Sequence, residues 1–205
     1  MTRVKICGIT RPEDGLVAAQ AGADAIGLVF YAKSPRNVGL EPAANIVRAL
    51  PPFVTSVALF VNPQEDEVNA VLRHVRPDVL QFHGEESPEF CRSFNLPYLK
   101  AMRVRVETDL LQFAALYSDA QGLLLDAWSD AAHGGTGERF DWNLIPELPK
   151  PFILAGGLSP ANVRLAVETV KPWAVDVSSG VEVSKGIKDA AQITAFMKEV
   201  KNANQ

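Results

Sequence analysis

The sequence predicts an α/β protein, a single-domain (β/α)8 TIM barrel with a closed eight-stranded parallel sheet spanning residues 1–205. Three observations carry this expectation. Eight short β-branched or apolar runs recur along the chain, each with the length and character of a strand buried on both faces. Helical patterns with proline or acidic residues in the first turn lie between most of them. Eight units in 205 residues leave roughly 26 residues each, enough for a strand, a helix and two short loops. An open doubly wound sheet would show similar hydropathy, but its glycine fingerprint is absent.

Taken in order, the first strand is Val4 to Cys7, and its helix starts at Pro12-Glu13-Asp14. Ala25 to Phe30 leads to a helix start at Pro42, and Val54 to Val61 to one at Pro63-Gln64-Glu65-Asp66. Val79 to His83 precedes Ser87-Pro88-Glu89, and Tyr98 to Met102 precedes a start at Thr108. Gly122 to Asp126 is followed by the one long irregular stretch, Ala127 to Trp142, centred on His133-Gly134-Gly135-Thr136-Gly137. Phe152 to Ala155 precedes Ser159-Pro160, and Ala174 to Ser178 precedes a last start at Lys188-Asp189.

Composition excludes several classes of function. Hydrophobic residues make up 47% of the chain, enough for a sizeable core. Twenty Lys and Arg against 24 Asp and Glu give a net charge of -4 with no basic run, so no nucleic-acid partner is expected. No apolar stretch approaches the ~20 residues that span a bilayer. The opening MTRVKICGIT puts charge inside the first strand, so no signal peptide, no membrane partner and a cytoplasmic location are expected. Cys7 and Cys91 lie far apart in no metal-ligand spacing, so each is expected to be a separate thiol, with no metal site and no disulfide.

A barrel of this kind binds its ligand at the carboxyl ends of the strands, so polar groups there are the candidates. LAGGLSPAN (154 to 162) and VDVSSGVE (175 to 182) each run from a strand into small residues. Gly156, Gly157, Ser179 and Gly180 can present backbone N–H groups to an anion, and a short helix beginning there would add its dipole. A phosphate site follows, tight turns alone being the alternative. Cys7 ends the first strand as a nucleophile or proton acceptor, provided its neighbours, Arg36 among them, favour the thiolate, the alternative being a small buried apolar side chain. Cys91, on a helical run, reads as packing. Asp126 closes an apolar strand as an available proton donor, the alternative being a carboxylate that caps the next loop. His83 is a ligand contact or a histidine hydrogen-bonded to barrel backbone, whereas His74 lies on a helix and His133 in the irregular stretch. Trp128, Trp142 and Trp173 are core aromatics or ring-stacking groups, with Trp128 the open case. Acid and base across one barrel mouth suggest an isomerase or a proton-shuttling lyase without a redox cofactor.

Strand parity makes one further demand. If Cys7 points inward, so does Lys5, where a lone ammonium is costly. An inward Ser178 likewise turns Asp176 inward, and the first and eighth strands become neighbours on closure. A Lys5–Asp176 ion pair is therefore expected on the barrel floor, the alternative being a Lys5 that reaches up to the mouth.

The blocks KICGIT (5 to 10), GADAIGLVFYAKSPRNV (22 to 38), QFHGEE (81 to 86), LLLDAW with GGTGERFDW (123 to 142), LAGGLSPANV (154 to 163) and VDVSSGVE with GIKD (175 to 189) run the length of the chain. Together they resemble the phosphoribosylanthranilate isomerase family of tryptophan biosynthesis. The resemblance implies an Amadori rearrangement of N-(5-phosphoribosyl)anthranilate to 1-(2-carboxyphenylamino)-1-deoxyribulose 5-phosphate, with no metal or coenzyme. It further implies Asp126 as general acid, Cys7 as general base, Arg36 on the substrate carboxylate, and Gly156, Gly157, Ser179 and Gly180 on the phosphate. The partner is then a small phosphosugar–anthranilate substrate, and the chain a monomer or homodimer. Phe82, Glu85 and Ser184-Lys185-Gly186 depart from the family pattern, the last expected to loosen a loop beside the phosphate site. Rival readings are another phosphosugar isomerase or epimerase barrel, and a non-catalytic phosphosugar-binding barrel, which would have lost Cys7 or Asp126.

Overall fold

A computed structural model describes residues 1–105, 107–126, 142 and 145–204. The apolar runs form β1 (Arg3–Cys7), β2 (Ala25–Phe30), β3 (Thr55–Phe60), β4 (Val79–Phe82), β5 (Tyr98–Arg103), β6 (Gly122–Asp126), β7 (Phe152–Ala155) and β8 (Ala174–Val177). These pair in sequence order and close as a parallel barrel, β8 against β1. Between them lie α1 (Pro12–Gln20), α2 (Leu40–Ala49), α3 (Glu65–His74), α4 (Pro88–Arg92), α5 (Leu110–Leu116) and α6 (Val163–Val170), with α7 (Ala190–Asn202) last. Trp128, His133 and the Gly134-Gly135-Thr136-Gly137 run lie outside the described residues.

Burial explains the layering. Outward strand residues such as Ile6, Leu28, Phe60, Phe82 and Leu123 meet helix residues such as Ile46, Val68, Val163 and Phe196 in the main core. Two smaller clusters, Cys7 with Val29 and Leu59, and Ala101 with Leu124, Ile153, Ala155 and Ala174, are separate from it. Cys91 is fully buried, and burial pushes its thiol up to about 12, as befits packing rather than chemistry. Trp142 packs on the core, while Trp173 is half exposed under the Arg3 guanidinium, 4.1 Å from its ring centre and at the opposite end of the barrel from the strand ends. No helix among the described residues is long and apolar enough to cross a membrane.

Three local expectations need correction. Ser159-Pro160 does not open a helix. Asn162 Oδ1 accepts from Ser159 N at 2.8 Å and its Nδ2 donates to Gly157 O at 2.9 Å, so these residues form a turn that delays α6 to Val163. The fifth helix starts at Leu110 because Asp109, not Thr108, caps it by accepting from Gln112 N at 2.9 Å. After β8 comes only a 3-10 turn, Ser179–Val181, and then a hairpin of β9 (Glu182–Ser184) and β10 (Ile187–Lys188). The segment expected to be loose is therefore the turn of that hairpin. Gly186 takes a left-handed φ of 82° there and accepts from Thr10 Oγ1 at 2.5 Å, while Lys188 N donates to Asp14 Oδ2 at 3.2 Å.

Lys5 and Asp176 pair as strand parity requires. Lys5 is the register partner of Asp176, and its ammonium donates to Asp176 Oδ1 at 3.0 Å with both residues buried. Burial pushes the Lys5 ammonium down and the Asp176 carboxylate pushes it up, and the net result lies above the ordinary value. Removing either partner alone, as in Lys5→Met or Asp176→Asn, is expected to cost about 3–5 kcal/mol because the other charge is left buried. Urea denaturation should show the Lys5→Met/Asp176→Asn double variant to be less destabilised than either single one. Additive losses would contradict the pairing.

Candidate active site

The carboxyl ends of the strands surround a cavity of 390 Å3. Cys7 enters it from the end of β1, His83 from just after β4, Asp126 from the end of β6, and Gly156, Gly157, Ser178 and Ser179 from the loops after β7 and β8. Arg36 reaches it from the loop after β2. A larger cleft of 1120 Å3 lies at the opposite face, lined by residues such as Arg3, Phe152 and Trp173 where strands begin. It gathers none of the strand-end groups.

Cys7 is only 5% exposed. Burial pushes its thiol up, the Lys5 charge pulls it down, Asp176 pushes it up again and Lys188 pulls it down, and the net result lies above the ordinary value. Gly8, at φ 77°, permits the next feature, since a Cβ there would lie 2.4 Å from Arg36 Cδ. Arg36 thus lies across the end of β1.

The Arg36 guanidinium is already held. Its Nε and Nη2 each donate at 2.7 Å to the two carboxylate oxygens of Glu182, and that pairing raises the Arg36 pKa further. Lys188 Nζ donates to Glu182 Oε1 at 2.9 Å and to Ser178 O at 3.0 Å. Burial pushes the Glu182 carboxyl up, but the hydrogen bonds from Arg36 and Lys188 prevail and hold it below its ordinary range. The expected anchor for a substrate carboxylate therefore has its Nε–Nη2 edge filled by Glu182, and among the described residues the Nη1–Nη2 edge is left for a ligand.

His83 stands between two polar side chains. Its Nε2 is 3.4 Å from Asp126 Oδ2, and its Nδ1 is 3.1 Å from Gln81 Nε2. With the Gln81 amide donating to Nδ1, the ring hydrogen lies on Nε2 and faces the carboxylate. Behind it, the buried Glu86 carboxylate accepts from Asn62 N at 2.8 Å, from Gly84 N at 3.0 Å and from Lys100 Nζ at 2.7 Å. Lys100 Nζ also donates to Gly84 O at 2.5 Å, so the turn that follows His83 is fixed from both sides.

The two glycine clusters have different reasons for lacking a side chain. Gly156 and Gly157 take left-handed φ values of 91° and 64°, and a Cβ on Gly157 would meet nothing within 4 Å, so backbone conformation is what favours glycine there. Gly180 is excluded from bearing a side chain by space, since its Cβ would fall 1.9 Å from Leu158 O. That contact seats the loop after β8 against the loop after β7. Ser178 and Ser179 line the cavity, and Gly180 follows them in the chain without being part of the lining. Among the described residues, the buried Asp126 Oδ1 and Ser178 Oγ, both on lining residues, have no hydrogen-bond partner. Polar atoms left so at a cavity wall suit a polar ligand.

The structure thus gathers Cys7, Arg36, His83, Asp126, Gly156, Gly157 and Ser179 around one cavity, with Gly180 outside its lining. Sequence reasoning missed four participants. Arg103 also lines the mouth as the register partner of Asp126, but the fifth strand was expected to stop one residue earlier, at Met102. Glu182 stood in the VDVSSGVE block without a role. Lys100, a lone cation inside an apolar strand, and Glu86 in QFHGEE were the visible halves of a buried pair.

The model of the family described as N-(5'-phosphoribosyl)anthranilate (PRA) isomerase matches residues 4–199. N-(5'-phosphoribosyl)anthranilate isomerase from Pseudomonas fluorescens is 58% identical over 203 residues, covering 98% of this chain and 97% of that protein. The enzyme of that name from Pseudomonas aeruginosa strain LESB58 is 60% identical over 201 residues, 98% of this chain and 95% of its own. The crystal structure of phosphoribosyl anthranilate isomerase from Thermotoga maritima superposes with a TM-score of 0.89 at 44% identity, over 98% of this chain and 100% of that one. A phosphoribosyl anthranilate isomerase solved in complex with reduced 1-(o-carboxyphenylamino)-1-deoxyribulose 5-phosphate matches with a TM-score of 0.86 at 42% identity, over 98% and 100% of the two chains. With the family model matched almost from end to end and relatives this similar over their whole length, the chain belongs to the N-(5'-phosphoribosyl)anthranilate isomerase family.

Proposed function

We propose that residues 1–205 act as one catalytic barrel that converts N-(5'-phosphoribosyl)anthranilate to 1-(2-carboxyphenylamino)-1-deoxyribulose 5-phosphate, in the cytoplasm, as a step of tryptophan biosynthesis. The observation that carries the reading is that Cys7 and Asp126 enter one cavity from strands β1 and β6 while the glycine turns after β7 and β8 border the same space.

Substrate binding comes first. The phosphate sits against Gly156, Gly157 and Ser179 of the cavity lining, with Gly180 next in the chain, where backbone N–H groups are at hand and the Ser178 hydroxyl has no partner among the described residues. The anthranilate carboxylate takes the open edge of Arg36, whose orientation Glu182 fixes. These two anchors suspend the ribose between acid and base.

Asp126 then protonates the furanose ring oxygen. The C1–O bond breaks, the nitrogen lone pair forms C1=N, and an open-chain protonated Schiff base results. Its positive charge acidifies the proton on C2, which the Cys7 thiolate removes. The C–H electron pair becomes the C1=C2 bond, the C=N pair returns to nitrogen, and the enolamine tautomerises to the ketone. The His83 Nε2–H, aimed at Asp126 by Gln81, stabilises the carboxylate that proton donation leaves behind.

Freshly prepared phosphoribosylanthranilate supplies the test, since its anthranilate-type fluorescence is lost on isomerisation. Turnover is the expected result. Tight binding without turnover would instead mark a non-catalytic phosphosugar-binding barrel. A subsidiary expectation concerns Glu182→Gln, which loosens Arg36 without touching acid or base. Steady-state kinetics should show KM raised by about tenfold, the weight of one charge-assisted contact, with kcat changed by less than about threefold. A fall confined to kcat would contradict the anchoring role.

A further inference from the structure

Lys5 has a second neighbour besides Asp176. Cys7 and Lys5 share the inward face of β1, and the register partner of Cys7 on β2 is Gly27. A Cβ built on Gly27 would lie 2.8 Å from Cys7 Sγ and 3.0 Å from Lys5 Nζ. Thiol and ammonium therefore share the space that a side chain on β2 would fill, and the glycine is what admits them both. On the other side, the same ammonium holds Asp176 Oδ1 at 3.0 Å, and Asp176 is itself part of the cavity lining.

We propose that Lys5 is the counter-charge of the Cys7 thiolate, and that Asp176 competes with the thiolate for that charge. The proposal rests on Cys7 being the base, and Lys5 acts through Cys7 as a positioning residue. Among the described residues, Lys188 from β10 and Arg36 from the loop after β2 also bring charge to the thiol, and both are committed to Glu182. β2 presents only the uncharged Gly27 and Val29 to this part of the cavity. Burial pushes the thiol up and prevails, holding it above its ordinary value, while Lys5 is the strongest influence pulling it down and Asp176 opposes it.

The arrangement suits a base that must change charge in a buried place. When C2–H breaks and S–H forms, the thiolate charge is removed and Lys5 falls back wholly on Asp176. The ammonium is left without an anionic partner at neither stage, so the transfer avoids the desolvation cost of a stranded charge.

The test reads the thiol directly. Iodoacetamide alkylation of Cys7, followed on its peptide by mass spectrometry, is measured against pH in the wild type, Asp176→Asn, Lys5→Met and the double variant. Lys5→Met should raise the apparent thiol pKa by at least about one unit, lowering the alkylation rate near neutrality about tenfold. Asp176→Asn should move it the opposite way. Should Lys5→Met fail to fold, Asp176→Asn against the double variant removes Lys5 in a background without the orphaned carboxylate, and the same upward shift is expected. In turnover, variants lacking Lys5 should lose kcat at neutral pH and regain it as pH rises, with KM little changed. A purely structural role would move both halves of the ion pair in the same direction and lower kcat at every pH. Profiles that coincide with and without Lys5, or single variants that shift alike, would overturn the proposal. The base assignment itself fails separately, by full turnover of Cys7→Ser, an outcome the alkylation profiles do not affect.

Discussion

Asp126→Asn is expected to lower kcat by at least ~100-fold with KM nearly unchanged, the lower end of the range for loss of a general acid. An amide matches the carboxyl in size and keeps a contact to His83 Nε2, 3.4 Å away in the parent, so the cavity wall stays in place. The substrate is held by its phosphate and carboxylate, neither of which Asp126 touches in this account. What disappears is the proton that opens the furanose ring. Steady-state kinetics with phosphoribosylanthranilate decides the matter, and turnover near the parent value would remove Asp126 from the mechanism.

Cys7→Ser should be as severe. A hydroxyl fills nearly the same volume beside Gly27 but is far too weak an acid to supply an anion near neutral pH. Ring opening by Asp126 still proceeds in this variant, so a pre-steady-state experiment should show open-chain Schiff base accumulating without product. Asp126→Asn should show none. Iodoacetamide should inactivate the parent at Cys7, and a product analogue should slow that inactivation. Cys91 should remain unmodified while the protein is folded, since it is buried with its thiol pushed up to about 12. Inactivation that tracks modification of Cys91 alone would defeat the assignment of the base.

The features legible in the sequence were those fixed by local pattern and strand parity. Eight apolar runs gave eight barrel strands in order, because a strand covered on both faces must be apolar nearly throughout. Cys7, His83 and Asp126 stood out because each is a polar group at the end of such a run, where the fold places chemistry. Parity reached further, to the Lys5–Asp176 pair, because closing the ring puts β1 beside β8 whatever lies between them in sequence.

Contacts made by loops were not legible. The hold of Glu182 on Arg36 joins residues 146 apart in sequence and depends on the hairpin β9–β10, whose two short strands give almost no hydropathy signal. Lys100 sits in a strand whose alternation hides whether it points into the barrel or out to the helices, and its partner Glu86 lies on a loop. The role of Lys5 toward Cys7 depended on Gly27, a residue read only as part of an apolar run until the space above it was seen to be filled. The packing of Gly180, where a Cβ would fall 1.9 Å from the carbonyl oxygen of Leu158, joins two loops and was equally hidden in the sequence.

The central claim is that Cys7 and Asp126 flank one substrate held by Arg36 and the glycine turns. A crystal structure of this chain with reduced 1-(2-carboxyphenylamino)-1-deoxyribulose 5-phosphate tests it most directly. The account predicts the phosphate at Gly156, Gly157 and Ser179, the carboxylate on the Nη1–Nη2 edge of Arg36, Cys7 Sγ within ~4 Å of C2, and Asp126 on the far side of the sugar chain within hydrogen-bond reach of its oxygens. An analogue bound with its C2 beyond reach of Cys7, or with its carboxylate away from Arg36, would contradict it.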